Sequence, residues 1–311
     1  MPLPQYLTPK KTPSFSRRKT WLIASVALVC VGGILAAVFT FFGSRPSQRE
    51  ITIAGQTIST NVTELDLSGC QIDDLTPMQA LTSLKELFLN RNQINDLSPL
   101  QSLPNLTELF ISENQISDIS PLQNMPNLTA LFIGNNPISD ISPLRSLINL
   151  TELGLESAPI SDLTPLQSLT NITYLGLWDN QISDLTPLQS LTNLTELFLA
   201  GNQISDLSPL QPLTRLELLF ISGNQISDLS PLRSMTDLTM LYLAGNQIND
   251  LTPLQSLSNL AELDIAGNQI SDLTPLQSLS NLIRLDLHDN NLTEAQIEDL
   301  QRALPNCTIL H

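Results

Sequence analysis

Three cysteines and two histidines are spread over 311 residues. Cys30, Cys70 and Cys307 form no CxxC pair and have no histidine at metal-ligand spacing, so neither a disulfide framework nor a zinc site is readable. His288 and His311 have no nucleophilic partner at readable spacing. No glycine-rich phosphate loop occurs, and no acid pair is set apart in a closed site. Catalysis is therefore not expected, and no cofactor or metal is expected. Lysine is nearly absent beyond residue 19, where Lys85 stands alone. Residues 1–50 carry seven basic groups and one acid, net +6, whereas residues 51–311 carry seven basic groups and 29 acids, net −22, together the −16 of the chain. A body at −22 excludes nucleic acid as a partner, because cations neutralising phosphates drive that affinity. At 41% hydrophobic residues the chain is nonetheless too apolar for intrinsic disorder.

One long uncharged run is present: residues 21–42, WLIASVALVCVGGILAAVFTFF. As a helix it would be about 33 Å long, enough for a hydrocarbon core of about 30 Å. Five positive charges precede it and two follow, which places the N-terminus in the cytoplasm and the body outside it. The run is longer than a cleaved signal's apolar region, and Ile34-Leu35-Ala36 is a poor cleavage site, so an uncleaved signal anchor is expected. Gly32/Ala36 and Gly33/Ala37 would allow two such helices to pack as a homodimer, although small residues are common in spans in any case. Residues 1–20 form a basic tail and residues 43–50 a linker.

From Asn61 the sequence repeats every 22 residues without an insertion. Ten units fill 61–280, and a diverged eleventh occupies 281–311. Such a period implies a solenoid, since one unit cannot bury its apolar edge alone. Within the seventh unit, NLTELFLAGNQISDLSPLQPLT, alternation around Leu197-Phe198-Leu199 predicts a short strand with the leucines inward and Glu196 and Phe198 outward. Ser208 is expected to cap a brief helical turn with Pro209 at its first position. The fold class is thus an α/β solenoid, with a parallel sheet on its concave face and short helical turns opposite. Residues 51–60 read as a cap strand matching Leu65-Asp66-Leu67. At the other end Thr293-Glu294-Ala295-Gln296 reads as a capping box, followed by a helix over Ile297, Leu300 and Leu304 and a closing strand in 306–310.

Each repeat position becomes a column along the solenoid. Asn92, Asn114, Asn136, Asn180, Asn202, Asn224, Asn246, Asn268 and Asn290 form one; buried, they should bond the backbone of neighbouring turns, and Ala158 should leave a backbone group short of a partner. A column of aspartates from Asp74 to Asp272 suits backbone N–H groups better than calcium, which needs several ligands within one loop. The Asn-Leu-Thr triplets match glycosylation acceptors but recur with the period, as a turn and strand start would. On the outward strand face an aromatic stripe, Phe88, Phe110, Phe132, Phe198, Phe220 and Tyr242, runs beside a largely acidic column that includes Glu152 and Tyr174. Gly154 and Gly176 interrupt it where Tyr174, Trp178 and Glu156 lie. A notch flanked by Trp178 and Tyr174 is the expected centre of a protein-binding surface. Rings about 4.8 Å apart also stabilise one another, so a spacer or self-associating structural protein is the alternative.

The LxxLxLxxNxL pattern resembles the leucine-rich repeat family. The 22-residue unit and its Ile-Ser-Asp-Leu-x-Pro-Leu half resemble bacterial internalins and the related phosphatase-regulator subtype. The resemblance covers about 51–311 and implies a horseshoe that binds a protein or peptide, which the acidic columns would select to be basic. The phosphatase-regulator role would need cytoplasmic repeats, against the expected topology. Without a cell-wall sorting segment or long N-terminal cap domain, an envelope receptor or scaffold is expected over host-cell adhesion.

Overall fold

The unit-by-unit alternation of leucine and outward residues gives every repeat the same three-residue extended segment, too short to be stable except in a sheet. The computed structural model describes residues 50–311. The expected basic tail, membrane span 21–42 and most of the linker lie outside the described residues, among which no helix is long and apolar enough to cross a membrane. Two opening strands, β1 (Glu50–Ile53) and β2 (Gln56–Ser59), precede the repeats. The repeat strands are β3 (Glu64–Asp66), β4 (Glu86–Phe88), β5 (Glu108–Phe110), β6 (Ala130–Phe132), β7 (Glu152–Gly154), β8 (Tyr174–Gly176), β9 (Glu196–Phe198), β10 (Leu218–Phe220), β11 (Met240–Tyr242), β12 (Glu262–Asp264) and β13 (Arg284–Asp286). With the closing strand β14 (Thr308–Leu310) they form one parallel sheet in strict chain order. Register is in phase throughout: Glu196 faces Leu218, and Phe198 faces Phe220.

Each strand returns through a 3₁₀ turn, from Thr76–Ala80 in the first repeat to Thr274–Ser278 in the tenth. Proline sits in the first turn of every one, where its missing N–H costs nothing. The cap, however, is the aspartate and not the expected Ser208. Asp206 Oδ1 accepts the Ser208 N–H at 2.8 Å, and no Ser208 side-chain cap bond forms. Asp74 through Asp272 repeat this bond at 2.8–2.9 Å. An aspartate two residues back reaches the N–H in an Asx turn, whereas Ser208 is already inside the turn. The hydroxyl or amide of the following Thr or Ser holds the carboxyls of Asp74, Asp96, Asp162 and Asp206 below the usual range.

Leucines from both sides meet in one continuous core. Leu197, Leu199, Leu207, Leu210 and Leu213 are at most 1% exposed, each contributing roughly 1.5–3 kcal/mol by burial. The segment 51–60 differs from the expected cap strand: β1 and β2 pair antiparallel as a hairpin apart from the long sheet. Ala54 and Gly55 both take positive φ, 48° and 76°, the geometry of a tight primed turn that reverses the chain. At the far end Thr293 and Gln296 form the capping box of α1 (Glu294–Ala303), and Leu300 and Leu304 are buried beneath it.

The asparagines tie repeat to repeat. Asn202 Nδ2 donates to the carbonyls of Leu177 in the preceding repeat and Leu199 in its own, both at 3.0 Å, and its Oδ1 accepts the Ile182 N–H at 3.0 Å. At Ala158 this link is missing, yet the Ile138 N–H is not left short of a partner as expected: it bonds the Asn136 carbonyl at 2.8 Å across Pro137, as the Ile160 N–H bonds the Ala158 carbonyl across Pro159. Pro137 and Pro159 stand where the N–H of Gln93 and of Gln115 bonds the preceding repeat at 2.8–2.9 Å, so the fourth and fifth repeats are less tightly laced than the others. Asn136 keeps its ladder bonds with a proline directly after it, so Ala158→Asn is sterically compatible with Pro159. It should stabilise the protein by about 1 kcal/mol and raise the thermal midpoint by about 2 °C; a lowered midpoint in calorimetry would refute the ladder account.

Candidate protein-binding face

Because the core takes the middle residue of every strand, the first and third residues are left to face away from it. The third residues carry the rings. Phe88 and Phe110 stack at 4.6 Å and 9°, and Phe110 and Phe132 at 5.2 Å and 4°. In the next repeat the third residue is Gly154, and the ladder does not stop there. Tyr174, at the first position of β8, leans across so that its ring lies 5.7 Å from Phe132 and 5.2 Å from Phe198. Trp178 meets Phe198 edge-on at 5.8 Å, and Phe220 carries the row to Tyr242 at 5.2 Å. The expected open notch is therefore closed by the rings that were to flank it. The glycines make the closure possible: a Cβ at Gly154 would lie 2.6 Å from Phe132 Cδ1, and one at Gly176 would lie 2.8 Å from Trp178 Cζ3.

The rings are partly covered by one another. Phe132 is buried at 5% exposure, and Phe88, Phe110, Tyr174, Trp178, Phe198, Phe220 and Tyr242 are half-buried. Glutamates accompany them at the first strand position: Glu86, Glu108, Glu152, Glu196 and Glu262. Burial raises the Tyr174 hydroxyl above its ordinary range, and the charges of Glu156, Glu196 and Glu152 raise it further. Tyr242 is raised by burial and by the bond its hydroxyl donates to Glu262 Oε2 at 2.8 Å. Burial likewise raises Asp264, whose neighbour Asp286 lies opposite it in register and 2.6 Å from His288 Nδ1. Among the described residues no group of three His, Cys, Asp or Glu side chains is placed to hold a metal ion.

Glu156 behaves unlike the other acids. Its column reads Ser112, Gly134, Glu156, Trp178, Ala200 and Ser222 in successive repeats. The carboxyl lies over Gly134, where any side chain would collide with it, and beside Phe132 above Gly154. Its Oε2 is buried and accepts no hydrogen bond. Burial raises its carboxyl above the usual range, opposed in part by a hydrogen bond from its own backbone N–H and aided by the charge of Glu113. Sequence reasoning placed Glu156 on this face but not its burial; the signal was there, a long acid directly after Gly134 in its column.

This architecture is that of a leucine-rich repeat protein. The family model described as Leucine Rich repeats (2 copies) matches residues 60–102, 104–146, 126–168, 170–212, 214–256 and 258–302, and the chain belongs to that family. Among solved structures it is similar to the internalin inlF of Listeria monocytogenes, at 32% identity and a TM-score of 0.59 over 82% of this chain and 89% of that one. It shares the fold of the functional domain of InlJ, also from Listeria monocytogenes, at 24% identity and a TM-score of 0.70, over 82% of this chain and 55% of that one. The Arabidopsis receptor kinase HAESA, solved with the peptide hormone IDA and the co-receptor SERK1, is 26% identical with a TM-score of 0.65, over 75% of this chain and 43% of that one. Comparison with curated proteins gives no significant match. Leucine-rich repeat proteins in general mediate protein–protein interaction.

The buried acid has a pH consequence. A carboxyl whose folded pKa is raised lends its full stability below its unfolded pKa, about 4.3, and loses it as pH rises through the folded value. Glu156→Gln, which mimics the protonated form, should melt with wild type near pH 4 and above it at pH 7. A constant difference in midpoint across that range would rule out the buried-carboxyl account.

Proposed function

We propose that the chain is a membrane-anchored, non-catalytic recognition module whose concave strand face holds a basic protein segment or peptide. The observation that carries this reading is the ring row from Phe88 to Tyr242, spaced 4.6–6.3 Å and bordered by glutamates. Aromatic contact area dominates binding hot spots, and acids arrayed on one side select and steer a cationic partner. Along the first and third strand positions of β3 to β13, Arg284 is the one cation. The neighbour HAESA was solved in complex with a peptide hormone and a co-receptor, which supports a peptide or protein as the kind of partner. Residues 21–42 would anchor the module, with the basic tail in the cytoplasm and the repeats outside, as a receptor or scaffold of the envelope.

Capture from envelope extract tests the face. The full chain and its Trp178→Ala, Phe198→Ala double variant serve as baits, once circular dichroism shows equal folding. A partner retained by the first and lost from the second is expected. Equal retention would refute the ring row as the binding surface and favour the spacer reading, which the self-stacking of Phe88, Phe110 and Phe132 supports. The anchor is tested on membranes: the chain should stay in the pellet after carbonate washing, and protease added to intact spheroplasts should remove the repeats. Release by carbonate, or protected repeats, would overturn anchor or orientation.

A further inference from the structure

We propose that the segment bound on this face places an arginine side chain at Glu156, its guanidinium pairing with the carboxylate and lying on the rings of Tyr174 and Trp178. The inference rests on the concave-face reading above and makes it specific.

An acid at this position is not required by the fold. Ser112, Gly134, Ala200 and Ser222 fill the same column in repeats of identical register, so the solenoid stands without a charge there. At Glu156 the chain instead keeps a carboxylate whose Oε2 is buried and bonded to nothing. Such a group is costly while it lacks a counter-charge. Among the described residues the charged neighbour acting on Glu156 is Glu113, another acid, and Arg91 is engaged by Glu113 at 2.9 Å. The charges that act on Tyr174 are all acids, those of Glu156, Glu196 and Glu152. Glu156 is nevertheless partly exposed as a residue, and the proposed cation approaches its carboxyl from the solvent side of the sheet.

The rings decide which cation fits. Phe132 shares the space above Gly154 with the Glu156 carboxyl, and Tyr174 and Trp178 share that above Gly176. A guanidinium is planar, weakly hydrated and able to bond a carboxylate through two parallel N–H groups while stacking on an aromatic face. A lysine ammonium would have to shed a tighter water shell for a single point contact. Among the described residues Glu156 Oε2 is the one buried carboxylate oxygen without a hydrogen bond, so the preference should centre on this position.

Calorimetric titration of the full chain tests the assignment. The probe is an acetylated pentapeptide amide with arginine at its centre, flanked by phenylalanine and then glycine on each side. Its twin carries citrulline, which keeps the shape and loses the charge. Wild type should bind the arginine peptide about tenfold more tightly than the twin. In Glu156→Gln that preference should fall to about twofold or less, and in Glu86→Gln, an acid of the same face on β4, it should persist. Glu156→Gln is the more stable variant at neutral pH by the argument above, so loss of the preference would not reflect unfolding. An unchanged preference in Glu156→Gln, equal affinity for the two peptides in wild type, or no saturable binding of either would overturn the proposal. If both peptides bind wild type equally and both are lost from the Trp178→Ala, Phe198→Ala variant, the ring face stands as a binding surface and the arginine assignment alone fails.

Discussion

Every turn of this chain ends with groups that only the next turn can satisfy, and the rest of the structure depends on that dependence. A three-residue strand has no stability alone, and its leucines bury only against those of the neighbouring repeats. The asparagine completes the link from the other side, bonding two carbonyls and an N–H across successive repeats. Because the same three demands recur every 22 residues, the sheet runs in chain order with constant register. The ends close by different means, a hairpin at one and α1 with β14 at the other.

The demands of the ladder stop at the outward strand positions, and there the repeats diverge. Phe88, Phe110 and Phe132 stack nearly parallel because identical residues in register are held at the strand spacing. Replacement of the ring by Gly154 and Gly176 does not open the surface but lets larger side chains fold inward over it. The same neighbourhood has Ala158 in place of the laddering asparagine, and Pro137 and Pro159 in place of laddering amides. Bonds between repeats are fewer beside the stretch where the face is most irregular and holds an acid with one buried, unbonded oxygen. Stability conceded at a surface of this kind is a common accompaniment of binding.

Much of this was legible from residue order. The period, the inward leucines, the structural asparagines, the turn aspartates and the capping box at Thr293 follow from spacing and side-chain chemistry, and the structure has each of them. Three readings changed. Ala54-Gly55 turned the cap strand into a hairpin, because an alanine at positive φ carries none of the usual Asn-Gly signal. Asp206 took the capping role expected of Ser208, a competition between neighbours that spacing does not rank. The ring row ran through the glycine gap.

The sequence by itself determined the solenoid, its repeat boundaries and the identity of every column, since a 22-residue period with one apolar edge has a single way to bury that edge. Only the tertiary structure decided how side chains from different columns share space. That Tyr174 bridges Phe132 to Phe198, and that Glu156 loses water over Gly134, depends on ring tilts and on volume freed by glycines a repeat away. Those are contacts between residues more than 20 positions apart, and no periodicity encodes which neighbour leans into an empty place.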